Sequence, residues 1–87
     1  MSNTKFHDKD ATYSLWVHYN KGNKVTHLSY DMVNGERRPQ VGFNKLMKLI
    51  NNKKGQYKTA IIYERATNKA IRKFRDGVEV PLNTELQ

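Results

Sequence analysis

The chain has 87 residues, no cysteine, and sixteen Lys and Arg against eight Asp and Glu, a formal net charge of +8. That length sets one domain with a thin stability margin, because a chain this short buries only about 60–65% of the surface its unfolded form exposes. The missing cysteines exclude a disulfide framework, a thiolate zinc site and a cysteine nucleophile.

The first eleven residues, MSNTKFHDKDA, are polar and without periodicity. They lack the apolar stretch of a secretory signal, and no apolar run in the chain reaches the length that spans a bilayer. The expectation is a soluble, cytoplasmic protein with no membrane partner, with flexible termini at 1–11 and 82–87 around a single domain at 12–81.

From 12 to 32 the period is two: Tyr13, Leu15, Val17 and Tyr19 alternate with Ser14, Trp16 and His18. With Lys21 and Gly22 as a two-residue turn, Leu15 faces Leu28, Tyr13 faces Tyr30 and Trp16 faces His27. This register predicts one apolar face of Tyr13, Leu15, Val17, Leu28, Tyr30 and Met32. It turns Trp16, His18, His27, Ser14, Ser29 and Asp31 toward water.

Asn34, Gly35 and Pro39 interrupt that pattern, after which Phe43, Leu46, Met47 and Ile50 recur at helical spacing. The spacing predicts a helix over 41–54, stopped by Gly55. The stretch YKTAIIYERATNKAIRKF predicts a second hairpin turning at Ala66, Thr67 and Asn68, where Asn supplies a positive φ. Its inner face is undecided, because Ala60, Ile62 and Phe74 compete with Ile61, Tyr63 and Ile71, and burial of both faces suits a homodimer. Asp76-Gly77 fits another tight turn before a short fifth strand at 78–80. The predicted fold class is therefore α+β: an antiparallel sheet of two hairpins, β-β-α-β-β with a short fifth strand, and one amphipathic helix packed on it.

The charge is unevenly spread. Twelve basic residues lie between 37 and 75 (Arg37, Arg38, Lys45, Lys48, Lys53, Lys54, Lys58, Arg65, Lys69, Arg72, Lys73, Arg75) against Glu64 alone, a net +11, while the flanks carry −3. On the predicted helix, Lys45 and Lys48 lie opposite the apolar stripe with no acid to pair them. Lys53 and Lys54 suit the negative end of the helix dipole, but Lys45 near the first turn does not, and an external anion makes sense of it. Phosphate backbones use scattered cations well, since each neutralised phosphate releases counterions without needing a cleft. Arg37, Arg38, Arg72 and Arg75 can grip phosphates bidentately, with Lys58 and Lys73 beside them.

Trp16, His18 and His27 on a water-facing sheet surface have the chemistry of a platform on which unpaired bases stack. The same residues also suit an interface, with Trp16 covered by a second chain or by the N-terminal tail. Three histidines without a matching carboxylate cluster set up no tetrahedral site, and the HDKD segment at 7–10 meets the same objection, so no metal or other cofactor is expected. The chain lacks a Gly-rich phosphate loop and a G-x-S-x-G elbow. A ribonuclease using His18 or His27 as acid and base is conceivable, but the expectation is a protein that is not an enzyme. The sequence thus points to a small basic nucleic-acid-binding module acting mainly through phosphate contacts, with single strands or RNA preferred. The alternative is a small protein-binding inhibitor or adaptor, of the kind carried by mobile elements, that docks on an acidic or nucleic-acid-binding partner protein.

Overall fold

The computed structural model describes residues 11–82. The flexible termini expected from the sequence lie outside these residues apart from Ala11 and Leu82. Ala11 is buried, and its carbonyl accepts a hydrogen bond from Arg65 Nη1 at 3.2 Å.

Strands β1 (Tyr13–Tyr19) and β2 (Lys24–Leu28) form the first hairpin. Its loop holds three residues, not two. Tyr19 N–H donates to Asn23 O and Gly22 N–H to Tyr19 O, both at 2.9 Å, and Gly22 takes φ +102°. A turn followed by a glycine in the positive-φ region is the usual three-residue hairpin connection. The extra loop residue slides the register by one, so that Leu15 pairs with His27, Trp16 with Thr26 and Val17 with Val25. Because side chains alternate, this slip turns all of β2 over. His27 joins the Leu15 side and Leu28 joins Trp16. Ser29 and Asp31, expected toward water, are fully buried, while Tyr30, expected in the core, is 43% exposed.

After β2 the chain makes a two-stranded ribbon, β3 (Met32–Val33) and β4 (Glu36–Arg37), turning at Asn34-Gly35. Helix α1 (Pro39–Asn52) follows. It begins two residues earlier than the apolar pattern implies because Pro39 opens it, its fixed φ suiting the first turn and its missing N–H costing nothing there. It ends two residues early as well, with Lys53 as its C-cap and a turn closed by Gln56 N–H donating to Lys53 O at 2.8 Å.

Strands β5 (Tyr57–Glu64), β6 (Lys69–Arg75) and β7 (Val78–Val80) complete an antiparallel sheet in the order β2-β1-β5-β6-β7. The domain is thus α+β, an antiparallel sheet with one helix, and the two hairpins of the sequence reading become one five-stranded sheet with a separate ribbon. Asn68 takes φ +59° in the β5–β6 turn, as its side chain suggests, and Asp76-Gly77 turns the chain into β7.

Helix α1 covers one face of the sheet. Leu46 and Ile50 meet Leu15, Val17, Ala60, Ile62, Tyr57 and Phe74 in one buried cluster. The choice left open for the second hairpin is settled: Ala60, Ile62 and Phe74 face the helix. Ile71 also reaches the core, because a bulge opposite Ile62 and Tyr63 takes it out of alternation.

Candidate nucleic-acid interface

Among the described residues, no helix lies on the opposite face of the sheet. Pairing places its side chains in rows across the strands, since directly opposed residues point to the same side. One row runs Thr26, Trp16, Ile61, Lys73, Val80, and the next runs Lys24, His18, Thr59, Arg75, Val78. Leu28, Ser14 and Tyr63 lie on the other side of the Trp16 row. The Trp16 and His18 rings stand 5.9 Å apart, tilted by 51°, and the Trp16, His18, Ile61 and Tyr63 side chains are all half-buried.

The carboxylates of the sheet lie on one face only, while its basic residues lie on both, Arg72 on the helix side. Lys24, Lys73 and Arg75 lie on the open side. Glu64 pairs with Tyr13 and Glu79 with Phe74, which puts both strand carboxylates on the helix side. Among the described strands of the sheet, no carboxylate shares the face with Trp16.

Of the residues expected to bind, Trp16 and His18 stand together on this face, and His27 does not join them. It sits on the helix side, half-buried, with Nε2 lacking a hydrogen-bond partner among the described residues. Burial, and then the nearby positive charge of Lys53, lower its pKa from 6.5. The unfolded chain therefore binds more protons than the folded one below about pH 6.5, and stability falls as the pH drops through that range. Thermal melts should show a Tm that holds above pH 7 and declines toward pH 5.5, a decline that His27→Gln reduces. An equal decline in the variant would remove His27 from this role.

The expected phosphate-binding cations are spread over both sides. Arg75 is exposed on the open face, whereas Lys73, in the neighbouring row, is only 6% exposed. Lys58 is the extra residue of a bulge opposite His18 and Tyr19, and it is exposed. Arg72 points to the helix side, where its guanidinium forks onto Glu79 (Nη2 to Oε1, 2.8 Å) and lies 5.8 Å from the Phe43 and Phe74 rings. Each of those contacts competes with a phosphate for Arg72. The pair also raises the Arg72 pKa and lowers that of Glu79, through the shared hydrogen bond first.

Arg37 Nε is 3.9 Å from Asp31 Oδ2, and Arg38 Nη2 donates to Glu36 Oε1 at 2.7 Å. Lys45 and Lys48 are exposed on the outer side of α1, with Lys45 Nζ 5.0 Å over the Tyr30 ring. Lys53 caps the helix, and the stem of Lys54 passes close to Gly77. Of the cations between 37 and 75, strand pairing places Lys73 and Arg75 on the face of Trp16, while Arg72 and the helix residues Lys45 and Lys48 lie on the other side of the sheet.

Sequence reasoning missed Lys24, Ile61 and Tyr63 as parts of the open face. Alternation within β2 and β5 carries that information once the register is known. It also missed a buried polar cluster beside the helix start, where Asp31 Oδ2 accepts from Thr12 N–H at 2.9 Å and from Thr12 Oγ1–H at 2.6 Å. Two surface clefts of about 370 and 310 Å3 lie at the ends of β1, one lined by Tyr19, Asn20 and Gln56, the other by Thr12, Arg37 and Arg65. Neither of these two includes Trp16 or His18.

The HDKD segment lies outside the described residues. Among those described, no three His, Asp or Glu side chains gather into a metal site, and no helix is long and apolar enough to cross a membrane. In comparisons with known proteins, no family model matches the chain, and no curated protein or solved structure does either.

Proposed function

We propose that the protein binds single-stranded nucleic acid on the open face of its sheet, without catalysing a reaction. The observation that carries this reading is the partition of side chains across the sheet: Trp16, His18 and Tyr63 share a face with Lys24 and Arg75, and both strand carboxylates are on the other side. Bases stack on the rings while phosphates meet the cations at the edge of the row. Stacking of this kind needs unpaired bases, because a closed duplex keeps its base faces covered. Ser14, Trp16 and His18 follow one another along β1 on this face, which suits a chain of nucleotides passing across it.

Anisotropy of a labelled single-stranded 20-mer, titrated at several salt concentrations, tests the proposal. Log affinity should fall linearly with log salt, by about 0.7 per phosphate neutralised on a single strand. Lys24→Gln combined with Arg75→Gln should therefore flatten the slope by about 1.4. The chain has one tryptophan, so quenching of its fluorescence on binding reports directly on Trp16. Absence of binding at low salt, or equal affinity for the duplex of the same sequence, would reject the reading.

A further inference from the structure

The outer side of α1 is a second cationic surface, facing away from the open sheet. The helix, PQVGFNKLMKLINN, contains no acid, and Lys45 and Lys48 lie three residues apart on its exposed side. Neither lysine has an ion-pair partner among the described residues. The carboxylates near the helix start are otherwise engaged: Glu36 is paired with Arg38, and Asp31 is fully buried under Thr12. Lys45 lies over the ring of Tyr30, a contact that holds its ammonium at the surface.

The two cationic surfaces are separated by a helix and a sheet, about 20 Å from one outer face to the other. That spacing is about twice the screening length at 0.1 M salt, so two phosphate backbones, one on each side, repel each other weakly through solvent. A single surface for one strand would gain nothing from cations on its far side. We propose that one molecule bridges two segments of nucleic acid, an unpaired strand on the sheet and a second phosphate backbone along Lys45 and Lys48. This inference rests on the sheet-face reading above.

The test uses two oligothymidylates, which cannot pair with one another. One is biotinylated and held on beads, the other is fluorescent, and the full chain is added between them. Wild type should retain the second strand on the beads. Lys45→Glu with Lys48→Glu should bind the first strand nearly as wild type does, yet hold at least about tenfold less of the second. Both lysines are exposed, and an unchanged Tm confirms that the variant is folded. If wild type binds the first strand but never the second, bridging is wrong while the sheet reading stands. If the variant still captures the second strand, the link runs through pairs of protein molecules, and the helix surface is not the bridge. If neither strand binds, both proposals fall together.

Discussion

An alanine at position 42 should destabilise the domain by about 2–4 kcal/mol, the reverse of what the helix alone would favour. In an exposed helix, Gly to Ala gains about 1 kcal/mol. Here the first turn of α1 is pressed against the Asp31 side chain, so that a Cβ on Gly42 would stand 2.0 Å from Asp31 Oδ1 and 3.0 Å from Ser29 Cβ. Neither neighbour can give way easily, since both residues are fully buried. The carboxylate is held by two donors from Thr12, and the Asp31 carbonyl accepts from Arg38 N–H at 2.7 Å. Rotating the carboxylate away breaks hydrogen bonds to a charged group worth about 1.5–3 kcal/mol each. Lifting the helix instead uncovers Leu46 and Ile50. The loss should appear as a lower urea midpoint with an unchanged m-value. In an Asp31→Ala background the clash with Oδ1 is gone and only the tight contact with Ser29 Cβ remains, so the same substitution should cost much less, a coupling that a double-mutant cycle measures. A stabilised Gly42→Ala single variant would show that the helix does not depend on this close approach.

That buried carboxylate shows where the sequence stops being readable. The alternation in β1 and the stripe on α1 were legible because Leu15, Val17, Leu46 and Ile50 are unambiguous apolar residues at regular spacing. The neighbouring strand offers no such contrast: Lys24, Thr26 and Leu28 alternate with Val25 and His27, and neither set is plainly the inner one. With no hydrophobic face to pin the register, the loop decides it. Asn20-Lys21-Gly22-Asn23 accommodates a two- or a three-residue connection, and a single residue exchanged the environments of His27, Leu28, Tyr30 and Asp31. The burial of Asp31 depends on donors from Thr12, nineteen positions away, which local pattern cannot supply.

The candidate site was half legible for a related reason. Trp16 and His18 sit on the best-determined strand and were read as outward-facing directly from it. The run of positive charge from Arg37 to Arg75 passes through the helix and then through β6, which place their side chains on different sides of the sheet. Charge counted along a chain is blind to layers. Within β6, Lys73 and Arg75 face away from the helix, while Arg72 faces it and finds Glu79.

Trp16→Leu should weaken binding of a single-stranded oligonucleotide by about 5- to 150-fold, the equivalent of one base stack of about 1–3 kcal/mol. Leucine preserves an apolar side chain between Thr26 and Ile61 and removes the flat π-face, so it separates stacking from packing. Trp16 lies outside the core cluster beneath the helix, and Tm should move little. Trp16→Phe keeps a ring and should retain most of the affinity. The salt dependence supplies a second, independent reading. Removing a stacking residue lowers affinity equally at every salt concentration, leaving parallel lines on a log–log plot, whereas removing Lys24 and Arg75 changes their slope. If Trp16 only packs, its leucine variant will bind like wild type at each salt concentration. Parallel lines displaced by a decade or more would instead mark the indole as the surface on which a base rests.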